Sequence, residues 1–197
     1  MTAAPGAGFL DALGAVASAL QEIGAPSMII GGVAVIAHGV PRLTVDIDAT
    51  VVAAGLDVGG LASALARHDI RPRIPDAPAF AAAHQVFLAE HGPSGTAVDV
   101  SLAWLPFEQE ALDARVSCDY AGVIIEVPRP EDLVVYKLVA SRPRDLDDAE
   151  GLLVLHGTGM DLERVRRIVR EFASVLEDDQ RIRTLERLIA AAGLAGS

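Results

Sequence analysis

Hydrophobic periodicity changes character once along this chain, at Pro128-Arg129-Pro130, and that change limits the folds open to it. Before it, helical and strand patterns alternate; after it, only the helical pattern remains. From Phe9 to Ile23, apolar residues at Leu10, Leu13, Val16, Ala17 and Leu20 recur at the spacing of one helix face, and Gly24 and Pro26 end the run. Ser27 to Ile30 reads as a short buried strand. Gly31-Gly32 then opens a second helix whose inner face is Val33, Ile36, Ala37 and Val40. The stretch GVPRLTVDIDATV, Gly39 to Val51, reads as a strand, Leu61–Arg67 as a helix, and Val86–Glu90 and Thr96–Trp104 as strands joined across Gly92-Pro93-Ser94-Gly95. A short helix at Phe107–Ala114 and a strand at Val123–Val127 complete this part, and helices follow at about 130–140, 144–156, 161–174 and 179–193. The expected fold class is α/β (α+β): residues 1–128 form a mixed sheet flanked by helices, and 129–197 form a helical C-terminal portion packed on that core.

The 197 residues suffice for a sizeable core, and at 51% apolar but only 4% aromatic it must be built from Ala, Val, Leu and Ile. No apolar run approaches the ~20 residues that cross a bilayer, and the N-terminus lacks a basic leader region, so a cytoplasmic protein without membrane contact is expected. One cysteine, Cys118, excludes an internal disulfide framework and a cysteine metal cluster. A formal net charge of −11 excludes a broad phosphate-gripping face. The one basic patch, Arg164, Arg166, Arg167, Arg170, Arg181, Arg183 and Arg187, is interleaved with Glu163, Glu171 and Glu186 and reads first as a solvated helix face.

Two carboxylates one residue apart in a strand are the chemically telling feature. Side chains alternate faces, so Asp46 and Asp48 point one way and Val45, Ile47 and Val51 the other. At about 6 Å such charges repel by about 2–3 kcal/mol at an effective dielectric near 20, which water or a cation must offset. Thr44, Asp46, Asp48 and Thr50 could equally be the solvated face of an amphipathic strand. Asp99, between Val98 and Val100 in another strand, supplies a third acid; three on neighbouring strands would make an all-oxygen pocket suited to Mg²⁺ or Mn²⁺. The Gly31-Gly32 pair sits where backbone N–H groups at a helix start favour a phosphate, though glycines also serve plain tight turns.

Together Gly31-Gly32, Asp46-Ile47-Asp48 and Asp99 resemble the DNA-polymerase-β-like nucleotidyltransferase superfamily. The wording of GGVAVIAHGVPRLTVDIDA, VDVSLAWLPFEQEA and VPRPEDLVVYKLVASRPRDLDDAEGLL is similar to its AbiEii-type branch, over about Met28 to Leu155. The resemblance implies transfer of a nucleoside monophosphate from an NTP to an acceptor hydroxyl, with Asp46, Asp48 and Asp99 as metal ligands and catalytic groups. It implies further a toxin acting on tRNA, with a cognate antitoxin as partner. Aminoglycoside nucleotidyltransferases have a similar glycine turn and Asp-x-Asp, so a small-molecule acceptor, a protein acceptor, or a regulatory module of the same fold are the alternatives. Many relatives carry a Ser or Thr at the turn; here Gly32 is followed by Val33, which leaves more of the phosphate contact to backbone amides.

Fifteen of the sixteen basic residues are arginine, and the exception, Lys137, lies in the apolar run Leu133–Ala140, where an unpaired ammonium would cost several kcal/mol. It needs an anion or a path to water. The resemblance makes it a catalytic residue, and one of a nucleotide-binding set with Gly31, Gly32, Arg42, Asp145 and Asp148. Asp145, Asp147 and Asp148 also suit a helix start on dipole grounds alone. The five histidines, His38, His68, His84, His91 and His156, have no metal-ligand spacing.

Overall fold

The computed structural model describes residues 6–194 and divides the chain into two compact units. Among the described residues, one holds 6–37 together with Pro41–Pro128, and the other holds His38–Val40 and 129–194. The sequence boundary at residue 128 contains no hint that three residues far upstream belong with the helical part.

The first unit begins with α1 (Ala7–Ile23), whose Leu13, Val16 and Leu20 are buried and which ends at Gly24 with φ +69°, a left-handed stop that glycine adopts freely. There follow β1 (Ser27–Ile30), α2 (Gly31–Ala37), β2 (Asp46–Val52), α3 (Val58–Arg67), β3 (Ile70–Pro72), α4 (Ala77–His84), β4 (Val86–His91), β5 (Thr96–Ala103), α5 (Pro106–Asp113), β6 (Val116–Tyr120) and β7 (Val123–Val127). Five strands form one sheet in the order β1-β2-β5-β4-β3; β2 and β5 run parallel and the other neighbours antiparallel. The β6-β7 hairpin forms its own ladder. Ile47, Ala49 and Val51 stand opposite Val98, Val100 and Leu102, and Phe87 and Ala89 continue that row, giving a wholly apolar buried face.

The structure departs from the sequence pattern in three places. The strand expected over Gly39–Val51 begins only at Asp46: β1 ends at Ile30, opposite Asp48, and β5 starts at Thr96, level with Val45, so 41–44 have no strand beside them. Helix α2 stops at Ala37, and its buried residues are Gly32, Val33, Ala34 and Val35; Val40 is buried outside any helix. Three further elements, β3, α4 and β6, carry no clear period that would announce them in the sequence.

In the second unit α6 (Pro130–Ala140), α7 (Pro143–His156), a 3₁₀ turn at Gly157–Gly159, α8 (Leu162–Val175) and α9 (Gln180–Ala191) pack around Leu133, Val134, Leu138, Leu152, Val165, Val169 and Leu188. Residues 38–40 join this unit through specific contacts. The carbonyl of His38 lies 2.8 Å from His156 Nε2, and Val40 fills the space beside Gly151. No helix among the described residues is long and apolar enough to cross a membrane.

Candidate active site

Strand register builds the acidic centre. Asp48 and Asp99 are direct partners in the parallel β2-β5 ladder, so their Cα atoms lie one strand spacing apart, about 4.8 Å, and their side chains leave the same face. Asp46 lies two residues earlier on that face, opposite Ala97. All three are at least partly exposed, whereas Thr50, the next residue along the same face, is fully buried with its Oγ1 3.4 Å from the Ser101 carbonyl. The face is therefore not the uniformly solvated side of an amphipathic strand; it is a partly open site closed at one end.

The glycine turn meets these acids directly. Ile30 pairs with Asp48, and Gly31, at φ +62°, passes so close that a Cβ there would overlap Asp48 Oδ2. Gly32 is covered by the 41–45 segment: a Cβ on it would lie 2.6 Å from Thr44 Oγ1 and 3.0 Å from Arg42 Cζ. Thr44 thus brings a hydroxyl against the turn that itself has none, and that hydroxyl donates to Asp46 Oδ1 at 2.8 Å. Gly31, Gly32, Arg42, Asp46, Asp48 and Asp99 consequently share one region of the first unit.

Arg73, which the sequence reading passed over, completes the region. Its Nη1 lies 2.9 Å from Asp99 Oδ1 and its Nη2 donates to Oδ2 at 3.1 Å, so one planar guanidinium faces both carboxylate oxygens. Oδ1 is buried and receives no aligned hydrogen bond. The three carboxylates share a face without closing into a cage: among the described residues no group of three or more His, Cys, Asp or Glu is placed to hold a metal ion. The Arg73 guanidinium faces the two oxygens that Asp99 would contribute to such a group. Asp46 and Asp48 present hard oxygen donors on the same face, a donor set that suits a Mg²⁺- or Mn²⁺-type ion.

Lys137, Asp145 and Asp148 come together within the second unit. Lys137 Nζ lies 3.2 Å from Asp145 Oδ1 and 2.9 Å from Asp148 Oδ2, and all three side chains are at least 88% buried. The anion that the sequence demanded for Lys137 is thus provided from the first two turns of α7, with Asp145 also capping the Arg142 amide at 3.3 Å. A second buried carboxylate, Asp132, is gripped by Arg129 and Arg164.

Relatives of known structure share this arrangement of elements. No curated protein matches the chain. Solved structures do. The solution structure of the antibiotic-resistance factor ANT(2'')-Ia is 21% identical, with a TM-score of 0.60 over 86% of this chain and 93% of that one. The crystal structure of ANT(2'')-Ia in complex with adenylyl-2''-tobramycin is 20% identical, with a TM-score of 0.58 over 83% and 96%. JHP933 from Helicobacter pylori is 14% identical, with a TM-score of 0.54 over 98% and 93%. At these identities the likeness is one of fold. The sequence itself goes further: residues 11–191 match the family described as "Nucleotidyltransferase of unknown function (DUF6036)", and with nearly its whole length so covered the chain belongs to that nucleotidyltransferase family.

Proposed function

We propose that this protein transfers a nucleoside monophosphate from an NTP to a hydroxyl of a small acceptor, releasing pyrophosphate, with a divalent cation, Mg²⁺ or Mn²⁺, held by Asp46 and Asp48. The observation that carries the reading is the β2-β5 register, which puts Asp48 beside Asp99 with Asp46 on the same face and the Gly31-Gly32 turn against them. A bound cation would offset the charge of the triphosphate and of the transition state. The amides of the glycine turn and the Arg42 guanidinium receive phosphate oxygens, and Thr44 fixes the Asp46 carboxylate. Asp99 accepts the acceptor's hydroxyl hydrogen bond, and takes its proton as the new P–O bond forms and the bond to pyrophosphate breaks.

A small acceptor is favoured over tRNA by charge. The net charge is −11, and four of the seven arginines of α8 and α9 are engaged by the protein's own acids: Arg164 with Asp132, Arg166 with Glu163 and Glu186, Arg167 with Glu171, Arg181 with Asp178. A small acceptor carrying amines would instead be attracted. The adenylyl-2''-tobramycin in complex with one fold neighbour is of the proposed product class, a small molecule carrying an adenylyl group. The AbiEii-like wording supports a second reading, a toxin that nucleotidylates tRNA and is restrained by an antitoxin. Incubation with labelled NTPs, Mg²⁺, and either total RNA or an aminoglycoside panel separates the two by where label appears. Asp46→Ala and Asp48→Ala are each expected to abolish transfer without loss of fold, since each removes a like-charge repulsion; full turnover in either variant ends the assignment.

A further inference from the structure

We propose that Arg73 is a positioning residue, a built-in counter-cation that holds Asp99 and limits the nucleotide-free protein to a single divalent ion at Asp46 and Asp48. This rests on the reading of those two residues as the cation site.

The register explains how an arginine at the far edge of the sheet reaches the acidic centre. Ile70, Arg71 and Pro72 pair with His91, Glu90 and Ala89, so the next position, Arg73, falls opposite Leu88, and its backbone N–H donates to the Leu88 carbonyl at 3.2 Å. Leu88 in turn pairs with Asp99, and Asp99 with Asp48. One transverse row therefore runs Ile30, Asp48, Asp99, Leu88, Arg73, with directly opposed residues on a common face. Arg73 spans Leu88 to meet Asp99, its backbone anchored to the sheet edge.

Charge and geometry agree on what this does. Arg73 supplies at Asp99 the positive charge that a further ion would otherwise supply there. A guanidinium facing both oxygens of Asp99 is pre-organised and loses little freedom per contact. Any ion that drew Asp99 into its coordination would have to displace Arg73 first. The pair is about one-third exposed, so it can open when substrate supplies another anion for the guanidinium.

Mn²⁺ titration of the nucleotide-free protein, followed by the electron paramagnetic resonance signal of unbound Mn²⁺, tests this. Wild type is expected to bind one ion. Arg73→Gln is expected to gain a second ion, or to bind the first roughly 10- to 100-fold more tightly, the range seen when a partner of a metal-site carboxylate changes. Arg73→Lys should restore wild-type behaviour, as should Arg73→Gln combined with Asp99→Asn. Asp99→Asn alone should leave the single site intact. An Arg73→Gln isotherm that superimposes on wild type overturns the proposal, as does a tenfold or greater loss in Asp99→Asn, which would make Asp99 a ligand already. If either result appears while Asp46→Ala and Asp48→Ala still abolish binding, only the role of Arg73 falls. If wild type binds no Mn²⁺, or binds it independently of Asp46 and Asp48, the cation site itself falls too.

Discussion

Gly31 carries two demands at once. Its φ of +62° costs a residue with a side chain about 1–2 kcal/mol, and its Cβ position coincides with the Asp48 carboxylate. Gly31→Ala should therefore lose about 1–2 kcal/mol in urea denaturation from the backbone alone, and also weaken Mn²⁺ binding by roughly tenfold or more as Asp48 is pushed aside. Gly24→Ala is the control: φ is +69° but nothing lies within 4 Å, so stability should fall while Mn²⁺ binding stays unchanged. At this scale the sequence was uneven. Asp46, Asp48 and Asp99 stood out because a carboxylate inside an apolar strand breaks the local pattern. Arg73 did not, because an arginine between two prolines on the surface breaks no pattern, and only the order β5-β4-β3 brings it to Asp99. Thr44 was legible as polar but not as the hydroxyl over Gly32, since the 41–45 segment read as strand.

At the scale of elements, α6 and α7 are tied by a buried charge cluster. Removing the ammonium in Lys137→Met leaves Asp145 and Asp148 buried beside each other, and should cost about 3–5 kcal/mol in chemical denaturation. Adding Asp145→Asn and Asp148→Asn to that variant removes both buried charges and should recover much of the loss. If transfer activity returns with stability, Lys137 acts through the fold of its own unit; if stability returns and transfer does not, it has a direct part in the chemistry. The helices here were well read: α6, expected at about 130–140, spans Pro130–Ala140, because Pro at its start and a 3.6-residue period are local signals. Strand ends were read less well, since a strand stops near where its neighbours stop, and β2 starts at Asp46, beyond the end of β1 and one residue from the level at which β5 begins.

Over the whole molecule, charge gives the most direct prediction. With a net charge of −11, and with Arg166, Arg167 and Arg181 held by Glu163, Glu186, Glu171 and Asp178, binding to bulk tRNA should be weaker than about 10⁻⁶ M at physiological salt in a mobility-shift assay. Submicromolar binding there would revive tRNA as acceptor. By itself the sequence determined the mixed α/β class, the helical character of the described residues after Pro130, and the acidic residues proposed to carry the chemistry, because periodicity and a misplaced charge are properties of neighbouring residues. Only tertiary structure decided which strands lie side by side. Register across β2, β5, β4 and β3 put Asp99 next to Asp48 and Arg73 onto Asp99, and His38–Val40 joined the helical unit through contacts with residues more than a hundred positions away. Such pairings depend on the packing of the whole buried face, which no short stretch of sequence contains.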